Sequence, residues 1–171
     1  MFKTIVLAVD GSESSDRAVE HATMLARDQG SAVRVVHVIE IAMGRGGGPV
    51  HLDEAALKAK FEQQTRELVA AGVDAELELH SAIAGGPAHV IAEVARRSNA
   101  DLIITGSRGH TAVAGILLGS VTHRLLHVTH CPLLVIPSAE VAHLVGETVT
   151  EAEAEAEARA VTVSGAAIAL A

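Results

Sequence analysis

The sequence predicts an α/β sandwich built on a mainly parallel sheet. Short β-branched runs alternate regularly with helix-patterned segments, in the order β-α-β-α-β-α-β-α-β. The strands are apolar on both faces, as they are when helices cover both sides of a parallel sheet. Right-handed crossovers then make three layers: helices, an open five-stranded sheet, helices.

The first strand is Ile5-Val6-Leu7-Ala8-Val9, ended by Asp10-Gly11. Polar Ser12 to Asp16 marks a helix start, and Ala18, Val19, Ala22, Leu25 and Ala26 recur at helical spacing as far as the Gln29-Gly30 stop. Val33 to Ile39 is the second strand. Residues 40–51, with Gly44, Gly46, Gly47, Gly48 and Pro49, read as a loop. A helix from about Leu52 to Ala71 stops at Gly72. Val73 to Ser81 alternates apolar and polar residues, the pattern of an edge strand with charge on its outer face. Gly85-Gly86-Pro87 turns into a helix with proline at its first position, ending near Ser98-Asn99. Asp101 to Thr105 is the fourth strand, Ser120 to His127 the last helix, and the fifth strand lies within Cys131 to Pro137.

Residues 138–171 have a different character. They carry six glutamates against the single Arg159, a net of −5 out of −8 for the whole chain, leaving −3 for residues 1–137. The Glu-Ala repeat from Glu151 to Ala158 favours helix but has no apolar stripe to pack, so a solvated, partly helical or disordered tail is expected. The segment Ala160 to Ser164 has the composition of a strand that could add to a sheet edge.

Composition narrows the function. A net charge of −8 disfavours wrapping a phosphate backbone, and two phenylalanines with no Trp or Tyr leave nothing to stack bases on. Nucleic acid is therefore not an expected partner. No apolar run approaches a membrane span. Cys131 is the only cysteine and Met1-Phe2-Lys3-Thr4 has no signal-peptide layout, so a cytoplasmic chain without intrachain disulfides is expected.

One motif carries chemistry. Directly after the fourth strand the chain reads Gly106-Ser107-Arg108-Gly109, then nine residues, then Gly119-Ser120. Glycines let backbone N–H groups approach an anion, and a helix beginning near Gly119 adds its free N–H groups and positive dipole end. Asp10 and Gly106 both stand at strand carboxyl ends, where ligands sit in such sheets. If the two strands are neighbours, one crevice receives both. There is no G-x4-G-K-[ST], and the lysines are only Lys3, Lys58 and Lys60, so the P-loop mechanism is absent.

These segments together resemble the universal stress protein family in its ATP-binding branch. The resemblance rests on Ile5 to Ser12, His37-Val38, Gly86-Pro87-Ala88, Ala100 to Gly109, the glycine spacing through Gly119-Ser120, and Cys131 to Pro137. It covers residues 2–137, so a family domain over 1–137 and a separate acidic tail over 138–171 are expected. The resemblance implies strand order 3-2-1-4-5, a Rossmann-like topology, and a homodimer meeting at the last strands. It also implies an ATP site, with Mg or Mn accompanying the nucleotide. Asp10 would take the ribose hydroxyls. Val38 would read the adenine edge through its backbone, and Ala8 would let adenine lie on the first strand. Gly106, Gly109, Gly119, Ser120 and Val121 would hold the phosphates.

Other residues read more plainly. Asp10 also suits an Asx-turn, and Gly119-Ser120 suits a helix cap. Arg108 and His110 are candidates to counter phosphate charge, with Arg108 more often a surface residue. His123, His127, His130 and Cys131 lack the Glu of a zincin helix and read as structural or surface groups, with no metal site. His37 reads as a satisfied core histidine. No catalytic arrangement is spaced in the sequence, so an ATP-binding regulatory module is expected. The alternatives are a slow ATPase or phosphotransferase using the same site, and a nucleotide-independent dimeric module.

Overall fold

Valine, isoleucine and leucine fill the strands, and the helices that cover them present alanines and a few large side chains. The structure, a computed structural model, describes residues 1–40, 53–82, 86–109 and 118–139. The expected loop past Glu40, His110, and the tail past Ala139 lie outside the described residues. The chain divides into two units, Met1–Ser138 and Ala139–Ala171.

The elements follow the predicted alternation: β1 (Thr4–Ala8), α1 (Glu13–Gln29), β2 (Ala32–Glu40), α2 (Glu54–Ala70), β3 (Asp74–Ala82), α3 (Gly86–Arg97), β4 (Leu102–Gly106), α4 (Ser120–Val128) and β5 (Leu133–Ile136). All neighbouring strands are parallel and the sheet order is β3-β2-β1-β4-β5. The order implied by the family resemblance is thus the order observed.

Two cores back onto the sheet. On one face Ile5, Leu7, Val33, Val35 and Ile104 pack with Ala18, Ala22 and Ala26 of α1 and with Phe61 and Leu68 of α2. The alanines recur every fourth residue, which makes a shallow stripe and lets α1 lie close to the strands. On the other face Val6, Ala8, Val36 and Ile103 pack with Ala88, Ile91, Val94 and Ala95 of α3 and Leu125 of α4. Each helix pair covers one face because the chain winds β1 to β2 to β3, then crosses back to β4 and β5.

Local chemistry ends the elements where the sequence indicates. Ser12 caps α1 by accepting the Ser15 N–H, and Gly30 closes it at φ +68. Gly86 stands at φ +69, outside the helical range, so Pro87 takes the first helical position of α3. On the edge strand β3 the expected alternation slips at Leu77-Glu78, both half-buried: Asp74 and Glu76 are exposed before that point, and Leu79 and Ser81 after it. Arg34 on β2 pairs with Glu76, and Arg97 on α3 pairs with Glu78 at 2.6 Å, so the charge on β3 is answered by its neighbours.

Candidate functional site

The winding reverses between β1 and β4, which lie side by side. In open α/β sheets that switch point leaves a crevice at the strand carboxyl ends. The residue runs after β1 and after β4 therefore meet, as the sequence required for a shared crevice.

Asp10 stands two residues past β1. Its Oδ1 accepts from the Ser12 N–H at 3.0 Å and from the Ser12 hydroxyl at 2.6 Å, an Asx-turn that leads into α1. Its own N–H donates to Ser15 Oγ at 3.2 Å. With Oδ1 so engaged, Oδ2 faces the loop after β4: a Cβ on Gly109 would stand 2.5 Å from it. Gly109 is thus the residue over the Asp10 carboxylate.

Gly106 is the last residue of β4 and has a different constraint. A Cβ there would lie 2.3 Å from Ser14 Oγ, 2.8 Å from the Ser14 carbonyl carbon and 2.9 Å from the Ser15 nitrogen. The glycine lets the first turn of α1 press against β4. Serine hydroxyls fix the turn that follows, since Ser14 and Ser12 donate to the Arg108 carbonyl at 2.5 and 3.1 Å. Not every N–H of this glycine turn is open to an anion, because that of Ser107 donates to the Ile136 carbonyl at 2.7 Å. The turn is bolted to β5 instead. Among the described residues the buried Ser107 Oγ and Arg108 Nε have no hydrogen-bond partner.

The start of α4 completes the crevice. Gly119 is its N-cap, at φ −67 and ψ 161, with no side chain to cap the helix. Ser120, Val121 and Thr122 follow, and the first N–H groups of a helix have no intrahelical acceptor. The first turn holds no acidic residue, so nothing there repels an anion. The Gly119 N–H donates to the Ser107 carbonyl, and the Thr122 hydroxyl to the Gly106 carbonyl, at 2.7 and 2.8 Å. Both bonds hold α4 against the turn after β4. Unlike Gly106, Gly119 has ordinary space, for its nearest contacts to an added Cβ lie at 3.5 Å. Neither its φ nor its surroundings demand glycine.

Ala8 and Val38 stand at the carboxyl ends of β1 and β2, on the face covered by α3 and α4. The ladder between these strands closes where the Val9 N–H donates to the Val36 carbonyl at 2.9 Å. Backbone groups alternate sides along a strand, so Val38, two residues on, turns its N–H and C=O past the end of β1. Sequence reasoning placed no lysine near the crevice, but the fold brings Lys60 of α2 to the Gly11 carbonyl at 3.0 Å. The same ammonium pairs with Asp16 at 2.8 Å. These contacts span 49 and 44 residues of chain and leave no local sequence signal. His123 and His127 lie side by side on the exposed face of α4, ring centroids 5.1 Å apart. Among the described residues no group of three or more His, Cys, Asp or Glu could hold a metal ion.

Fold and site together define a doubly wound α/β protein with the Asp10 carboxylate and the start of α4 at the carboxyl ends of β1 and β4, where the winding reverses. Comparison with known proteins narrows this class. The model of the universal stress protein family matches residues 1–137, and the chain belongs to that family. It is 36% identical over 140 residues to a universal stress protein of Thermus aquaticus encoded 3′ to a QAH/OAS sulfhydrylase, covering 80% of this chain and 99% of that one. Among solved structures it resembles a universal stress protein in complex with cAMP (TM-score 0.61, 25% identity, 81% of this chain and 99% of that one). It also resembles the universal stress protein of Archaeoglobus fulgidus in complex with dAMP (TM-score 0.55, 25% identity, 80% of this chain and 98% of that one).

Proposed function

We propose that this protein binds an adenine nucleotide, ATP foremost, and serves as a nucleotide-dependent binding module in stress response. The observation that carries the proposal is the facing of the Asp10 carboxylate and Gly109 across the switch-point crevice. A carboxylate accepts hydrogen bonds from hydroxyls and repels phosphate, so the Asp10 side suits ribose. The α4 start, with open N–H groups and no acid, suits phosphate. Gly119 supports this division, because the fold itself gives no reason for glycine there. The two nucleotide-bound relatives, one with cAMP and one with dAMP, favour adenine as the base.

In this reading Asp10 holds the ribose, Ala8 and the Val38 backbone receive the base, and Gly106 and Gly109 shape the turn. Gly119, Ser120 and Val121 face the phosphates. The buried Ser107 Oγ, without a partner among the described residues, is compatible with a bound polar ligand. Mg or Mn would enter on the phosphates, with no protein cluster to hold it alone among the described residues. Turnover is slow at most, since the sequence carries no G-x4-G-K-[ST] motif to supply a phosphate-binding lysine.

Titration calorimetry on ligand-stripped protein tests the proposal. Micromolar-range affinity for ATP, about −8 kcal/mol, is expected. Absence of heat with ATP, cAMP and dAMP alike would refute it. We also infer a homodimer through β5, an edge strand whose Leu134 is exposed. Light scattering coupled to size exclusion reads this directly, and a monomeric mass would exclude it.

A further inference from the structure

His37 lies on β2 next to Val38, with 7% of its surface exposed. Its ring is fixed on three sides. It packs against Phe61 of α2 at a centroid distance of 4.6 Å, its Nδ1 lies 2.9 Å from the Val9 carbonyl, and its Nε2 lies 3.6 Å from Glu54 at the start of α2. A carbonyl can only accept, so Nδ1 carries a hydrogen and donates it. Nε2 makes no hydrogen bond among the described residues.

The Val9 carbonyl is the acceptor that the β1–β2 ladder would use next. The last rung runs from the Val9 N–H to the Val36 carbonyl at 2.9 Å. In a parallel ladder the following rung would run from the Val38 N–H to the Val9 carbonyl. That bond is not made among the described residues, and the imidazole takes the carbonyl instead.

We propose that His37 is a positioning residue for base recognition: by occupying the Val9 carbonyl it stops the sheet from zipping one rung further. The Val38 N–H and C=O then stay open at the crevice. The proposal rests on the adenine reading of the site. Adenine offers a ring nitrogen acceptor and an amino donor side by side, which match a neighbouring N–H and C=O. Guanine offers the reverse pair, a ring N–H and a carbonyl, and meets donor with donor and acceptor with acceptor. His37 thereby helps select adenine over guanine without touching either base.

The test uses the full chain and two variants. His37→Phe keeps an aromatic ring against Phe61 and removes the donor; His37→Asn keeps a short N–H donor. Amide hydrogen exchange of the ligand-free proteins reads the ladder itself. Fast exchange at Val38 is expected in the wild type and in His37→Asn, with slowed exchange in His37→Phe as the rung forms. For ATP, His37→Phe is expected to bind about tenfold more weakly, the weight of one hydrogen bond, with GTP affinity unchanged and His37→Asn near wild type. Strand-like protection of Val38 in the wild type overturns the proposal even if neither variant folds. An unchanged ATP-to-GTP ratio in a folded His37→Phe overturns it as well. Fast exchange at Val38 that slows in His37→Phe, in a protein that binds no nucleotide, upholds the ladder role and refutes the nucleotide reading alone.

Discussion

A Cβ added to Gly109 would stand 2.5 Å from Oδ2 of Asp10, closer than real Cβ atoms approach an oxygen. The carboxylate cannot simply swing away, because Oδ1 is held by two bonds from Ser12. Gly109→Ala is therefore expected to displace either the carboxylate or the turn and weaken ATP binding at least about tenfold, the scale of one lost charge-assisted hydrogen bond. Asp10→Ala removes the obstruction and the ribose contact together. In that background Gly109→Ala should cost little more. A double-mutant cycle by calorimetry reads the coupling, and strictly additive losses would show that the two residues do not share a site.

Gly106 predicts stability where Gly109 predicts binding. An added Cβ meets the Ser14 hydroxyl at 2.3 Å and, behind it, backbone at 2.8 and 2.9 Å. Removing the hydroxyl relieves only the first of these contacts. Gly106→Ala is expected to destabilise the fold by about 1–3 kcal/mol, the range for overpacking, and Ser14→Ala should not rescue it. Urea unfolding at constant m-value measures both.

Ser14 is buried and its hydroxyl donates to the Arg108 carbonyl at 2.5 Å. Ser14→Ala leaves that carbonyl to the longer bond from Ser12, at 3.1 Å. A loss of about 1–2 kcal/mol in stability is expected. The loop it releases carries Gly109, so ATP affinity should fall more than adenosine affinity. Equal losses for the two ligands would mean that the hydroxyl acts only on the fold.

The alternation of strands and helices was plain in the sequence because each type of element has its own period. The Val-Ile-Leu runs of β1 and β4 and the every-fourth-residue alanines of α1 cannot exchange roles. Strand order came from the resemblance, since periodicity says nothing of which strands are neighbours. The site was legible in part. Asp10 and the glycines are marked by residue type, and they do converge. The reasons for the glycines were not legible: Gly106 answers to α1 packing and Gly109 to the Asp10 carboxylate, contacts spanning more than 90 residues of chain. The Ser12 and Ser14 bonds to Arg108 and the Lys60 bond to Gly11 were missed for the same reason. Hydroxyls and ammonium groups find tertiary partners without leaving a periodic trace.

The start of α4 offers the most discriminating variant, because stability and binding should move in opposite directions there. Gly119 is an N-cap without a capping side chain, at a φ of −67 and a ψ of 161 open to any residue. An added Cβ would meet nothing nearer than 3.5 Å. Gly119→Asp supplies the missing acceptor for the helix N–H groups and removes glycine freedom from the unfolded chain. It is expected to raise stability by about 0.5–1 kcal/mol. The same carboxylate occupies the N–H groups assigned to phosphate and adds a charge that repels it, so ATP affinity should fall about a hundredfold or more, some 2.7 kcal/mol. Adenosine, lacking phosphate, should lose little. Thermal unfolding and calorimetry on one preparation give all three quantities. A stabilised Gly119→Asp protein that still binds ATP as the wild type does would place the phosphates elsewhere, and would leave an uncapped glycine at this helix start without a reason.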